Sequence, residues 1–240
     1  MVQNREKEGS PRWLGLIPFS FCGGSVGDSL AMRAGIVVSV RKNGDRREHM
    51  HVVAFSGSGR KDGNTAILLG TVMEELAKEG ISTELVQLAG RPLSGCTACR
   101  RCFERVDRKC AVEGDAVNEC IEKMVRADGV LLGSPVYYGD LTAGMKALIE
   151  RSGFVARANG DLLKRKVGAA VVSVRRAGAM HALDSINHFF TITQMIIPGA
   201  NYWNIGIGRD AGEVTQDVEG LETMRVLGRN MAWLLKKLGS

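Results

Sequence analysis

Long apolar runs are scarce in this chain, as are aromatics and the residue pairs that hydrolytic chemistry needs. The longest apolar stretch near the start, Trp13 to Cys22, is interrupted by Gly15 and Pro18 and is far shorter than the roughly 20 residues that cross a bilayer. No membrane association is expected. An acid-bearing segment with Glu6 and Glu8 precedes the stretch and no small-residue cleavage pattern stands out, so it does not read as a secretory signal. The expected location is cytoplasmic. Aromatics make up 5% of the residues, and no basic stripe interleaved with them accompanies the net charge of +6. Residues 1–49 hold eight Lys or Arg against five Asp or Glu, about half of that excess, so nucleic acid is not an expected partner. His49, His51, His181 and His188 show no H-E-x-x-H spacing. No Ser-His-Asp order or paired-carboxylate site emerges either, which sets hydrolases aside.

Disulfide density is also missing. Six cysteines in 240 residues, four of them within one short stretch, do not form the framework of a small secreted domain, and reduced thiols are expected. What the chain does have is apolar material: 45% hydrophobic residues and 24% charged ones over this length are enough for one sizeable core. Residues 1–49, rich in Gly, Ser and Arg and without periodicity, read as a disordered or peripheral leader. Met50 reads as an alternative start, because organisation begins immediately after it.

From Met50 onward, apolar runs alternate with helical periods. HVVAF at residues 51–55 is a short, β-branched run of the kind buried on both faces of a sheet. Leu68, Val72 and Leu76 stack on one helix face, with Gly80 as the stop. Strands are expected near Thr83 to Leu88, at GVLLG (129–133), at VGAAVVSV (167–174) and near Met195 to Ile197. Between and after them lie helices around Ile121 to Val125, with Asp115 as its cap, from Thr142 to Arg151, through Phe190, and from Val218 to Leu238. Strands and helices alternating at this spacing predict βαβ units. Five units are too few for a barrel. They predict a flavodoxin-like, doubly wound α/β fold: a three-layer α/β/α sandwich around a five-stranded parallel sheet of order 2-1-3-4-5. Ligands of such sheets sit beyond the carboxyl ends of the strands, so the loops after the first, third and fourth strands matter most.

The first of these loops, SGSGRKDGNT, joins a buried strand to a helix start, where free N–H groups and the helix dipole favour an anion. Asn64 follows Gly63 where a P-loop requires lysine, and Asp62 stands where the dinucleotide pattern requires its third glycine. The second strand, ELVQLAG, ends without the acid that would hold a ribose. A monophosphate fits this loop better than a nucleoside triphosphate or a dinucleotide. The tyrosine pair of SPVYYG offers a flat apolar wall beside a glycine; the alternative is that both rings pack in the core.

FSGSGRKDGNT, GSPVYYGDLTAGMKALIER and SVRRAG with the later NYWN together resemble the flavodoxin-like FMN reductases, and specifically the iron-sulfur flavoproteins among them, from about Met50 to the C-terminus. The resemblance implies that Ser56, Ser58, Arg60, Asn64 and Thr65 hold the FMN phosphate. It implies further that Pro135, Val136, Tyr137, Tyr138 and Gly139 lie along the isoalloxazine ring, and that Arg176, Ala177 and Gly178 close its other side.

GCTACRRCFERVDRKC, residues 95–110, places Cys96, Cys99, Cys102 and Cys110 at C-x2-C-x2-C-x7-C spacing. Disulfides between neighbours so close would be strained. Zinc usually takes two separated C-x2-C arms, and a cubane cluster takes three close thiolates and a fourth. The fourth cysteine here comes later than in a ferredoxin run and lacks the following proline. The run does match that of the iron-sulfur flavoproteins, and the resemblance implies a [4Fe–4S] cluster on these four residues, with zinc or free redox-active thiols as the other readings. Cys22 and Cys120 are not expected to be ligands. Arg100, Arg101 and Arg105 are positioned to raise the potential of a negatively charged cluster. The loop follows the second strand, so the cluster is expected at the carboxyl edge of the sheet on its phosphate side, within reach of a neighbouring subunit's flavin in a homo-dimer or homo-tetramer.

The resulting expectation is an FMN oxidoreductase with a [4Fe–4S] cluster, moving electrons between a one-electron carrier such as ferredoxin and a two-electron donor or acceptor. The alternatives are an FMN-only, NAD(P)H-dependent reductase of flavins or quinones with structural cysteines, and a non-enzymatic zinc or cluster module.

Overall fold

Alternation along the central strands decides how the layers form. In the computed structural model, which describes residues 50–239, Val53 and Phe55 point to one side of the sheet and Val52 and Ala54 to the other, all without exposed surface. The expected leader, residues 1–49, lies outside the described residues. The elements run β1 (His51–Ser56), α1 (Asn64–Lys78), β2 (Ser82–Gln87), α2 (Arg101–Arg105), α3 (Val117–Arg126), β3 (Gly129–Pro135), α4 (Ala143–Ala158), β4 (Val167–Val174), α5 (Ala179–Ile192), β5 (Ile205–Ile207) and α6 (Val218–Gly239). All strand pairs are parallel and the order is β2-β1-β3-β4-β5, as expected.

Helices α1 and α6 cover one face through Leu68, Leu69, Val72, Leu227 and Met231. Helices α3, α4 and α5 cover the other through Ile121, Met124, Met145, Leu148, Ile186 and Phe190. Each side chain buried this way contributes about 1.5–3 kcal/mol relative to exposure, so both faces hold the sheet. Among the described residues no helix is long and apolar enough to cross a membrane.

One strand lies elsewhere than the sequence predicts. Met195 to Ile197 makes only an isolated bridge, Ile196 to Val167, and the fifth strand is instead Ile205–Ile207, in register with Val172 to Val174. Pro198 gives the reason. It has no N–H to donate and its φ is fixed, so a ladder cannot continue through it. The chain leaves β4 there and returns to it at Ile205.

Candidate functional site

Strand β1 delivers the first loop to the sheet edge, and backbone contacts hold it there. Gly57 donates its N–H to the Gly133 carbonyl at 2.8 Å, and the Thr142 hydroxyl donates to the Gly57 carbonyl at 2.9 Å. A Cβ on Gly57 would lie 2.9 Å from that hydroxyl oxygen and 3.1 Å from the Met145 Cβ, so the position has room only for glycine. The Ser58 hydroxyl accepts the Arg60 N–H at 3.1 Å, and its carbonyl accepts from Gln87 Nε2 at 2.8 Å. Helix α1 then begins with no side-chain cap and no acidic residue in its first turn, which leaves its dipole to favour an anion.

The five expected phosphate residues are not equivalent. Ser56 is fully buried and its hydroxyl has no hydrogen-bond partner, an orphan that a bound ligand atom would satisfy. Arg60 is exposed and donates from Nη1 to the Arg209 carbonyl at 3.2 Å. Asn64 is already engaged, its Oδ1 accepting from the N–H groups of Gly212 at 2.9 Å and Val214 at 3.4 Å. The Thr65 hydroxyl shares a 2.7 Å hydrogen bond with Ser173 of β4. Asn64 and Thr65 therefore tie the helix start to residues 212–214 and to β4.

The loop after β3 turns sharply. Tyr137 and Asp140 exchange backbone hydrogen bonds of 2.8 and 3.1 Å, and Tyr138 and Gly139 between them have φ of 49° and 85°, a pair of left-handed residues as in type I′ turns. Tyr138 is fully exposed and Tyr137 half exposed. Neither ring packs in the core, and both are available to a ligand. A Cβ on Gly59 would lie 3.5 Å from the Tyr137 hydroxyl, so this ring reaches toward the first loop. Pro135 and Val136 are half-buried, with the Val136 N–H donating to Ser173 at 3.0 Å. In the loop after β4, Arg176 and Ala177 are exposed and Gly178 has φ of 87°. A Cβ there would come within 3.0 Å of the Gly139 Cα and the Val136 Cγ1. The three expected loops thus touch one another at one edge of the sheet.

The cysteines are somewhere else. Cys96, Cys99, Cys102 and Cys110 line one recess together with Arg151 and Phe154 of α4. The sequence placed this loop at the carboxyl edge of the sheet. Instead it lies against the flank of α4, two to three turns from that helix's start, because side chains from α4 draw it there. Glu150 Oε2 accepts the Cys96 N–H at 3.2 Å, and Arg151 Nε donates to the Cys110 sulfur at 3.2 Å. Asn118 of α3 brackets Cys110, accepting its N–H at 2.7 Å and donating to its carbonyl at 3.0 Å. Ala98, Arg100, Val106 and Arg108 have positive φ without being glycine, a conformation that costs roughly 1–2 kcal/mol per residue and persists only where the surroundings impose it.

Among the described residues no three His, Cys, Asp or Glu side chains converge as a single metal ion requires. The four thiols instead surround a space. Burial pushes the Cys102 thiol up, whereas exposed Cys99 is pulled down by the Arg101 N–H and the Thr97 hydroxyl. Burial drives Cys120 up to about 11, and it stays an inert core thiol.

Sequence reasoning missed Arg151, Glu150 and Asn118 and gave Asp115 only a capping role. Asp115 does accept the Val117 N–H at 3.1 Å, but it also pairs with Arg151. Burial works against ionisation of Asp115, and the hydrogen bonds from Arg151, Val117 and Ser94 outweigh it, so its pKa is lowered.

Comparison with known proteins places the chain in a family. The model of the NADPH-dependent FMN reductase family matches residues 50–210. An iron-sulfur flavoprotein of Methanocaldococcus jannaschii is 39% identical over 194 residues, covering 78% of this chain and 98% of that protein. One from Methanosarcina thermophila is 33% identical over 189 residues, covering 78% and 96%. A solved flavodoxin from the domain Archaea shares the fold, with a TM-score of 0.51 and 14% identity over 78% of this chain and 99% of that one. The chain belongs to the NADPH-dependent FMN reductase family, among its iron-sulfur flavoproteins. It is an oxidoreductase that handles FMN.

Proposed function

We propose that this oxidoreductase carries FMN at the three-loop edge and a [4Fe–4S] cluster in the cysteine recess, moving electrons between a one-electron carrier and a two-electron donor or acceptor. The observation behind the cluster is the arrangement of Cys96, Cys99, Cys102 and Cys110 around one recess. A single zinc ion needs four ligands within about 2.3 Å of its centre, whereas a cluster of several irons takes thiolates from around its periphery. Cys96, Cys99, Cys102 and Cys110 would hold it.

The FMN site is supported by the orphaned Ser56 hydroxyl, the glycine-only approach at Gly57 and the uncapped start of α1. Ser56, Ser58, Arg60 and the backbone at Asn64 and Thr65 would hold the phosphate. Pro135 to Gly139 would lie along the ring, with Arg176 to Gly178 on its other side. FMN exchanges electrons singly or in pairs and a cluster exchanges them singly, so together they would join two kinds of carrier. A ferredoxin-like carrier on one side and NAD(P)H, a quinone or a free flavin on the other are the partners this reading implies, in a homo-dimer or homo-tetramer.

Protein purified without oxygen tests the proposal by its visible spectrum and by iron, zinc and flavin counted per chain. One FMN and about four irons, with a broad cluster absorbance, are expected. Flavin without iron would make the chain an FMN-only NAD(P)H-dependent reductase with structural cysteines. Zinc without NAD(P)H oxidation would make it a non-enzymatic module.

A further inference from the structure

Arg151 has the largest fully buried side chain among the described residues. A buried guanidinium is costly unless every charge and donor is matched. Here the matching partners all come from the segment around the cysteines. Nη1 donates to the Ser94 carbonyl at 3.3 Å and hydroxyl at 3.4 Å and pairs with Asp115. Nη2 donates to the Val112 carbonyl at 2.7 Å. That leaves Nε, which donates to the Cys110 sulfur at 3.2 Å.

We infer that Arg151 is a positioning residue for the cluster: it holds the Cys110 sulfur as a ligand and raises the reduction potential of the iron it binds. The inference rests on the cluster reading above. The Nη contacts alone would anchor the loop, so a structural staple needs nothing more. The Nε contact is the one that serves a ligand. A neutral thiol is a weak acceptor, whereas a metal-bound thiolate is a strong one. A donor on that sulfur withdraws electron density, which favours the more negative, reduced state of the cluster. The other arginines near the cysteines act less directly. Arg100 and Arg101 are exposed, where water and salt screen them, and Arg105 is held by Asp107 at 2.7 Å.

The test is an anaerobic redox titration of the holoprotein, following cluster and flavin signals separately, in the wild type, in Arg151→Lys and in Arg151→Met with Asp115→Asn. The double substitution removes both charges together, so no lone charge is left buried. The cluster potential is expected to fall in both variants, more in the double one, while the flavin potential stays in place. A folded double variant that loses iron also supports the inference. Wild-type iron content with an unmoved cluster potential, or a fall shared equally by the flavin, overturns it. A wild type that takes up no iron overturns the cluster reading itself.

Discussion

The glycine loop after β1 and the cysteine stretch after β2 both lead from a strand to a helix of one sheet, yet they are held in opposite ways. The first is short and is fixed at its glycine: Gly57 donates to the Gly133 carbonyl, accepts the Thr142 hydroxyl on its own carbonyl, and has no room for a Cβ. The second is long and is fixed by side chains from other helices, Glu150, Arg151, Asn118 and Asn159. A loop fixed at a glycine carries the mark of its constraint in its own residues. A loop held by side chains depends on residues far along the chain, and damage there reaches it from a distance.

The sharpest way to break the comparison is at a proposed cluster ligand. Cys102→Ser is expected to abolish most iron binding while leaving FMN content near one per chain, since the two sites share no loop; iron and flavin analysis decides it, and parallel loss of flavin would show the sites to be interdependent. Next in size is Asp115→Ala, which strands the buried Arg151 charge and is expected to cost about 3–5 kcal/mol of stability in denaturant unfolding. Its pH dependence has a definite sign. The lowered pKa of Asp115 means that its contribution is complete above the ordinary carboxylate value near 3.8 and is lost as pH falls through the lower folded value. The variant should lack that acid-sensitive component.

Gly57→Ala probes the other loop. A Cβ in contact with Thr142 and Met145 is expected to cost about 1–3 kcal/mol and to weaken FMN about tenfold, as read by flavin titration, without lowering iron content. The smallest effect belongs to Arg100→Gln with Arg101→Gln. These exposed charges should shift the cluster potential slightly, and less still at high salt; a shift as large as that from the Arg151 variants would erase the contrast between screened and buried charge.

The same contrast explains what could be read from the sequence. Strand order, the three ligand loops and the cysteine run follow from local pattern, because glycines, hydroxyls and spacing act on their own backbone. The position of the fifth strand was missed because Met195 to Ile197 looks apolar and β-prone; Pro198 was the local signal that the ladder stops there. The recess was misplaced because nothing between Cys96 and Cys110 says which helix it rests on. A signal did exist in α4. Leu148, Arg151 and Val155 recur at core spacing, and an arginine on an apolar face implies a buried partner somewhere.

Helix α4 also has a mechanical consequence. Thr142, its cap, grips the glycine loop, and Arg151, about 14 Å further along at the α-helical rise, grips the cysteine stretch. One stiff rod therefore has a hand on each site. Its stiffness fixes the spacing between those two grips, so a disturbance in one loop leaves the other grip where it is.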